Sequence, residues 1–215
     1  GGLVGAGRSE LVEGLFGIHA LSGGEIYIKG KQVHVHSPSD IIKEGVALIT
    51  EDRKGTGLNL SGTVGDNIAM VAIRKLLCHG LYNKNKARSA SLDYIKKLNI
   101  KTPSGDQIVG NLSGGNQQKV VIAKWLLNDP DIIILDEPTR GIDVGAKRDI
   151  YLLLGKLVQQ GKAVVMISSE IPELMGVCDR IMVMSDGKTA GTLERTEFDQ
   201  ETIMQLATQE FRQRG

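Results

Sequence analysis

Short runs of apolar residues alternate with helical apolar periodicity along the second half of the chain. Residues 132–135 and Ala163–Ile167 are β-branched runs, typical of strands that are buried on both faces of a parallel sheet. Residues 120–126 and 145–160 repeat their apolar positions at the spacing of a helix. This alternation of strand and helix predicts an α/β core.

The last segment of the chain predicts a hairpin and a helix. Residues 181–184 and 189–193 flank Asp186-Gly187, a pair of residues that favours a tight turn between antiparallel strands. Residues 196–211 then repeat apolar positions at helical spacing and predict a final helix.

The first half of the chain predicts an antiparallel start and a helical insertion. The predicted elements are a helix, two antiparallel strands, a short helix, a buried strand and two further helices, at residues 10–16, 26–28, 33–35, 38–44, 46–50, 64–70 and 83–98. His34 and His36 share one face of the second strand. Because no Cys, Asp or Glu pattern joins them, a solvated strand face is favoured over a metal site. Leu92, Ile95 and Leu98 form the apolar stripe of the last helix.

Composition limits the classes of partner. The chain has 215 residues, of which 24% are charged, enough for one domain with a core or for a core and a smaller helical lobe. With 26 basic and 25 acidic residues, the net charge is +1 and no nucleic-acid groove is indicated. Cys78 and Cys178 lack metal-type spacing and are interpreted as structural. No apolar run approaches the length of a membrane span, so membrane association is expected through a partner.

A serine-glycine turn precedes the helix predicted at residues 120–126. Leu112-Ser113-Gly114-Gly115 leaves backbone N–H groups bare at the start of this helix, where unpaired donors and the helix dipole favour an anion. The turn is therefore predicted to bind phosphate. The same four letters at residues 21–24 lead into a strand, so that copy is interpreted as an ordinary turn.

Two carboxylates end the strand at residues 132–135. Ligands of open α/β sheets bind at the carboxyl ends of the strands, which is where Asp136 and Glu137 are predicted to lie. Asp136 suits the water shell of a Mg²⁺ ion, and Glu137 suits the orientation or deprotonation of a water that attacks a γ-phosphate. A strand that ends in a polar turn is the alternative. The serine-glycine turn upstream favours the functional interpretation.

A glycine-rich segment near Gly1 has the spacing of a P-loop. Gly2 and Gly7 bracket four residues, Arg8 stands where the motif has lysine, and Ser9 takes the Mg²⁺-ligand position. Lysine reaches the β- and γ-phosphates as a point charge, whereas guanidinium is a planar fork. Nucleotide binding is expected to survive this change better than hydrolysis. A tight connection before an amphipathic helix is the alternative interpretation.

The run LSGGNQQK followed by ILDEPTRGID resembles the signature motif, Walker B motif and D-loop of ABC ATPases. The runs NQQK and TRGIDVGAK narrow the resemblance to the second ATPase domain of tandem ATP-binding subunits from bacterial simple-sugar importers, the ribose, galactose, xylose and arabinose group. The resemblance implies an α/β P-loop NTPase fold of ABC type. Its three-layer core would carry an antiparallel β subdomain, incomplete at its N-terminus, and an inserted helical subdomain. The implied segments are residues 1–62, 63–120 and 121–215.

The resemblance also assigns roles to individual residues. The implied ATP-binding P-loop residues are Gly2, Gly5, Gly7, Arg8 and Ser9. The implied signature residues, which would contact ATP in trans, are Leu112, Ser113, Gly114, Gly115 and Asn116. Glu137 and Ser169 are the implied catalytic residues, Ser9 and Asp136 are the implied Mg²⁺ ligands, and Asp143 lies in the D-loop.

Three positions depart from the family pattern. Arg8 replaces the P-loop lysine, Glu51 stands where the family has the Q-loop glutamine, and Ser169 stands where it has a switch histidine. All four histidines precede the signature, so none takes the switch position. Because the signature is intact, the sequence leads to the hypothesis that this domain lends Ser113 and its glycines to a partner domain's site, while its own site is weak or inactive.

The implied cofactors are ATP and Mg²⁺. The implied partners are another ABC ATPase domain, membrane permease subunits and, indirectly, a periplasmic or extracellular sugar-binding protein. No nucleic-acid partner is expected. A peripheral position on the cytoplasmic face of the bacterial membrane is expected. Since a P-loop normally follows a strand, the chain is expected to be a fragment that begins at the loop. The alternatives are a soluble, non-transport ABC ATPase and an interaction domain that binds nucleotide without hydrolysing it.

Overall fold

The computed structural model describes the backbone of residues 1–212 and the side chains of residues 1–209. The strands are β1 (Ile26–Ile28), β2 (Lys31–Val33), β3 (Val46–Ile49), β4 (Leu77–Cys78), β5 (Leu81–Tyr82), β6 (Ile132–Asp136), β7 (Ala163–Ile167), β8 (Arg180–Ser185) and β9 (Lys188–Glu194). The α-helices are α1 (Arg8–Leu15), α2 (Pro38–Lys43), α3 (Val64–Ala69), α4 (Lys84–Lys97), α5 (Gly114–Leu126), α6 (Val144–Gln159), α7 (Ile171–Val177) and α8 (Gln200–Arg212).

Strands β3, β6 and β7 form a three-stranded sheet in that order. Ala163 donates its backbone N–H to the carbonyl of Asp131, and farther along both strands Glu137 donates to the carbonyl of Ile167, at 2.9 and 3.0 Å. Both bonds advance in the same direction along the chain, so β6 and β7 are parallel, as the apolar runs predicted.

The predicted burial of these strands is correct for β3 and β6 and wrong for β7. All four residues of β3 are buried, as are four of the five in β6. In β7, by contrast, Val165 is 46% exposed. Among the described residues, β7 ends the strand order β3-β6-β7, so its side chains have a neighbouring strand on one side only.

The chain divides into two compact units, which are described separately. The first contains Gly1–Val46, Ile134–Glu137 and the described residues from Val165 onward. The second contains Ala47–Ile133 and Pro138–Val164. The division of the chain at residues 62 and 120 stays a prediction.

In the first unit, the β8–β9 hairpin packs against α7 and α8 through a small apolar core. Its buried residues are Leu174, Ile181, Val183, Ile203 and Ala207. Asp186 and Gly187 form the turn with φ angles of 49° and 76°, which confirms the predicted hairpin. The segment before α1 joins this hairpin, because Gly2 pairs in parallel with Met184.

Three predictions for the first unit are wrong in detail. The antiparallel pair β1–β2 is present, but β2 ends at Val33, so His34 and His36 lie beyond the strand. α7 was missed, although a proline in its first turn is a helix-start signal. The last helix begins at Gln200 and not at residue 196, because a 3₁₀ turn at Arg195–Glu197 comes first.

The second unit contains the predicted helical insertion, in which α3 packs against α4 and α5. Asn67 of α3 is fully buried and donates to the carbonyls of Asn59 and Thr63 at 3.0 and 2.9 Å. The predicted stripe of α4 is partly wrong, since Leu92 is 45% exposed. The helix buries Ala87 and Ser91 instead.

A short hairpin inside this insertion was missed. β4 and β5 pair as antiparallel strands of two residues each. His79 and Gly80 make their turn with positive φ angles of 50° and 82°. Strands this short carry no measurable alternation of apolar and polar residues, so the His-Gly pair was the only signal in the sequence.

A buried lysine in α5 links this helix to an earlier turn of the second unit. Lys124 is 6% exposed, and its ammonium group donates a hydrogen bond to the carbonyl of Gly57. Burial lowers the pKa of Lys124 from 10.5 to about 8.

We expect this lysine to make the free energy of unfolding rise with pH. Between about pH 8 and about pH 10.5 the unfolded chain still binds the proton that the folded chain has released, so stability increases with pH in that window. From about pH 7.5 to about pH 9, the native protein should gain roughly 1 kcal/mol more than the Lys124→Met variant. Urea denaturation of both proteins across this range measures the difference, and parallel stability curves would contradict the prediction.

Candidate functional site

The loop before α1 places backbone N–H groups at the start of a helix. Gly2 has a φ of 144°, and a Cβ there would lie 2.4 Å from the carbonyl oxygen of Met184. Gly7 is the N-cap residue of α1 in the left-handed region, with a φ of 86° and no side-chain cap. The first N–H groups of α1, at Arg8 and Ser9, therefore have no intrahelical acceptor, which is the arrangement that favours an anion.

Asp136 lies at the carboxyl end of β6, within reach of this loop. Its carboxylate accepts a hydrogen bond from the hydroxyl of Ser9, and burial raises the pKa of Asp136 above its ordinary value. Its Oδ1 atom is buried and has no hydrogen-bond partner among the described residues. A hydroxyl, a carboxylate and an unused carboxylate oxygen are the hard oxygen donors that Mg²⁺ prefers, so these residues fit that ion.

Glu137 is held by two donors in the same unit. Nη1 of Arg8 lies 3.3 Å from Oε1 of Glu137, and the side chains are only 9% and 8% exposed. The backbone N–H of Ser169 donates to the same oxygen at 2.8 Å. Glu137 itself has a φ of 46°, an uncommon conformation for a residue other than glycine. The first unit thus brings Arg8, Ser9, Asp136, Glu137 and Ser169 together.

The signature turn lies in the second unit and starts α5. Ser113 is the exposed N-cap residue, and its side chain makes no capping hydrogen bond. Its hydroxyl instead accepts a bond of 2.9 Å from the amide of Asn116, whose oxygen accepts from the N–H of Lys101 at 2.8 Å. The N–H groups at the start of α5 are therefore not occupied by the serine side chain.

The glycines of this turn pack closely against the first turn of α6. A Cβ on Gly115 would lie 2.4 Å from Cβ of Ala146, so no larger residue fits without a shift of the backbone. Asp143 caps α6 by accepting the N–H of Ala146 at 2.9 Å. The segment assigned to the D-loop and the signature turn are therefore neighbours in the second unit.

Two arginines that the sequence did not single out connect the segment after β3 with the D-loop. Arg140 pairs with Glu51, the residue predicted for the Q-loop position. Arg53 donates to the carbonyls of Arg140 and Gly141 at 3.0 and 3.4 Å. An open pocket of about 290 Å³ is lined by Glu51, Asp52, Arg53, Lys54 and Arg140. The only signal in the sequence was the charged run at residues 51–54, which is equally typical of a solvated loop.

Two features are absent from the described part of the chain. Residues 1–212 contain no helix that is both long and apolar enough to cross a membrane. Among the side chains of residues 1–209, no three His, Cys, Asp or Glu residues form a group that could hold a metal ion.

Comparison with known proteins was made by sequence and by structure. The family model described as "ABC transporter" matches residues 1–140. The ribose import ATP-binding protein RbsA of Clostridium tetani is 50% identical over 207 residues, which are 96% of this chain and 41% of that protein. The galactose/methyl galactoside import ATP-binding protein MglA of the same organism is 49% identical over 209 residues, 97% of this chain and 42% of that protein. The chain thus spans about two fifths of the length of these relatives.

Solved structures of ATP-binding cassettes share the fold. The cassette MJ0796, in a dimeric post-hydrolysis state bound to ADP and Pi, aligns with a TM-score of 0.76 at 24% identity over 91% of this chain and 83% of that one. A nucleotide-free cassette from an ABC transporter aligns with a TM-score of 0.76 at 19% identity over 94% and 83% of the two chains. These matches confirm the predicted ABC-type P-loop NTPase fold. With a family model that covers residues 1–140, the chain belongs to the ABC transporter family.

Proposed function

We propose that this chain is an ATP-binding domain of a bacterial sugar importer, which couples ATP binding and hydrolysis to uptake of a monosaccharide. The support is sequence identity. The chain is 50% identical to a ribose import ATP-binding protein and 49% identical to a galactose/methyl galactoside import ATP-binding protein, over 96% and 97% of its length. The site also suits a nucleoside triphosphate with its metal ion. Helix α1 begins with N–H groups that have no intrahelical acceptor, and Ser9 and Asp136 supply a pair of oxygen donors.

The residues of the first unit suggest how ATP and Mg²⁺ would be held. The phosphates would lie against the backbone N–H groups of Gly5, Gly7, Arg8 and Ser9, at the positive end of the α1 dipole, while the N–H of Ala6 donates to the carbonyl of Leu3 at 3.1 Å. Ser9 and Asp136 would hold Mg²⁺, which neutralises charge on the β- and γ-phosphates when bound. Asp136 is buried, so water would compete poorly with its carboxylate for the Mg²⁺ ion.

The ion pair between Arg8 and Glu137 is the observation that carries our proposal of a degenerate site. One guanidinium cannot both neutralise Glu137 and reach a γ-phosphate as a compact point charge does. Oε1 of Glu137 already accepts from Arg8 and from the N–H of Ser169, so fewer of its lone pairs remain to orient an attacking water. We infer that this site binds nucleotide and hydrolyses it slowly or not at all.

The signature turn is proposed to act on a partner domain. Its exposed Ser113 and the uncapped N–H groups at the start of α5 form a donor surface for a γ-phosphate that a partner's P-loop holds. These donors complete the partner's site only when the two domains close, which couples closure to hydrolysis.

The partner is proposed to be another ABC ATPase domain, with this chain as the second domain of a tandem subunit. The length of the relatives, of which this chain spans about two fifths, leaves room for one. Membrane permease subunits and, indirectly, a periplasmic or extracellular sugar-binding protein complete the proposed importer. The domain would lie peripherally on the cytoplasmic face of the membrane.

A second candidate function is an interaction domain that binds nucleotide without hydrolysing it. The buried Arg8–Glu137 pair favours it, because it engages the residue that would otherwise orient the water. ATP turnover by the full-length protein that falls when the signature is changed excludes this candidate.

A pair of matched substitutions in the full-length protein tests the proposed asymmetry. Glu137→Gln should lower steady-state ATP hydrolysis by less than about threefold, because the partner's site carries most of the turnover. Glutamine at the corresponding glutamate of the partner domain should lower it by about a hundredfold or more. Rates are normalised to folded protein, and equal losses from the two changes would overturn the assignment of an active and a degenerate site.

A further inference from the structure

The guanidinium of Arg53 touches two motifs of the second unit at once. Nη1 and Nη2 donate to two consecutive carbonyls of the D-loop, those of Arg140 at 3.0 Å and Gly141 at 3.4 Å. On the signature side, a Cβ on Gly114 would lie 3.0 Å from Nη2 and 3.4 Å from the carbonyl oxygen of Gly141. The arginine therefore fills the space between the signature turn and the D-loop.

The segment that carries Arg53 is fixed at both ends. Asp52 caps the π turn at Arg53–Gly57 by accepting the N–H groups of Lys54 and Gly55, at 3.1 and 2.9 Å. At the other end, Lys124 of α5 donates to the carbonyl of Gly57. Because the turn is held in this way, the guanidinium is presented from a backbone that is anchored to the helix behind the signature.

One nitrogen of the Arg53 guanidinium lacks a hydrogen-bond acceptor among the described residues. This nitrogen, Nε, is buried. A buried donor without an acceptor destabilises a fold. The position of the Arg53 side chain is therefore explained by the two hydrogen bonds of Nη1 and Nη2, and not by hydrogen bonding of every guanidinium nitrogen. Arg140, whose carbonyl accepts one of these bonds, is itself paired with Glu51.

We propose that Arg53 is a positioning residue, which sets the D-loop against the signature turn and so fixes the donor surface offered to the partner's nucleotide. This inference rests on the proposed trans action of the signature. Arg53 acts through the carbonyls of Arg140 and Gly141, while Ala146 supports the turn from the side of Gly115. A planar fork is needed because two consecutive carbonyls must be bound together, which an ammonium group does not reproduce.

Three variants of the full-length protein test the proposal by ATP hydrolysis. Arg53→Lys should lower kcat roughly tenfold with the KM for ATP changed by less than about twofold, because nucleotide binding elsewhere is untouched. Arg53→Ala should lower kcat further, and millimolar guanidinium ion should restore part of its activity by occupying the vacated space. Lys54→Ala removes the same charge one residue away and should leave kcat unchanged.

Hydrogen exchange gives a second readout that does not depend on turnover. Amides of residues 140–144 should exchange faster in Arg53→Lys than in the native protein, whereas those of α8 should not change. A kcat that stays at the native level in Arg53→Lys, or a loss in Arg53→Ala that guanidinium ion does not restore, would overturn the positioning role. If Ser113→Arg also left turnover intact, the proposed function itself would fail, so the two failures are distinguishable.

Discussion

Ser113→Arg is expected to abolish ATP hydrolysis by the full-length protein that contains this chain, with a fall in kcat of about a hundredfold or more. Ser113 is the exposed N-cap residue of α5, directly before the two glycines of the signature turn. An arginine there would cover the bare N–H groups and fill the space that a partner's γ-phosphate is proposed to enter. Steady-state phosphate release at saturating ATP measures the loss.

The substitution should leave the fold intact, which separates a functional loss from unfolding. The Ser113 side chain makes no capping bond to the helix, and its hydroxyl accepts one bond, from the amide of Asn116. Loss of that single exposed bond changes the free energy of unfolding by about 1 kcal/mol at most. The melting temperature should therefore stay close to that of the native protein.

The chain supplies its own control for this substitution. Residues 21–24 repeat the four letters of the signature, and Ser22 is exposed like Ser113. That copy is followed by β1 and not by a helix, so it offers no aligned set of N–H groups. Ser22→Arg should hydrolyse ATP at the native rate. Native activity in Ser113→Arg, with Ser22→Arg equally active, would refute the action of the signature in trans.

The elements that the sequence predicted well are those with a strong local signal. β-branched runs at residues 132–135 and 163–167 became strands of one sheet, and Asp186-Gly187 became a hairpin turn because both residues adopt positive φ angles readily. Ser113 at the start of α5 was likewise predicted, since an N-cap residue and two glycines before an apolar helix are a local pattern.

Features that depend on contacts between distant residues could not be predicted. The pairing of Arg8 with Glu137 spans 129 positions, and that of Arg53 with Arg140 spans 87. From the sequence alone, Arg8 could equally well be expected to bind a phosphate, and the charged run at residues 51–54 could equally well be a solvated loop. The exposure of Leu92 had a similar cause, because the rotation of α4 is set by its packing against α3 and not by its own periodicity.

The family pattern and the structure bear on Arg8 in different ways. The sequence identified the residue as a departure from lysine and predicted weaker catalysis from the shape of its side chain alone. The structure adds a specific partner, because the guanidinium lies against the carboxylate that would otherwise orient a water. Degeneracy of the site would then follow from an interaction between two motifs and not from one replaced residue.

Removal of either member of the Arg8–Glu137 pair is expected to destabilise the protein strongly. Both side chains are less than 10% exposed, so each charge depends on the other for compensation. Arg8→Met should lower the free energy of unfolding by about 3 kcal/mol, because it leaves a buried carboxylate with the Ser169 N–H as its remaining donor. Glu137→Gln should lower it by a similar amount, since the buried guanidinium then loses the carboxylate with which it is paired.

The double variant should recover much of this loss, because it removes both charges together. We expect Arg8→Met combined with Glu137→Gln to lie within about 1 kcal/mol of the native protein, which gives a coupling energy of about 5 kcal/mol in the cycle. Urea denaturation followed by circular dichroism measures all four proteins.

An exposed ion pair of the same chain serves as the reference for this cycle. Arg88 and Asp106 lie 3.6 Å apart with side chains that are 72% and 77% exposed. Solvent screens such a pair, so its own cycle should give a coupling energy below about 0.5 kcal/mol. If the Arg8–Glu137 cycle gave a value as small as this, the two charges would not depend on each other. Glu137 would then be available to orient a water, and the proposed degeneracy of the site would lose its physical basis.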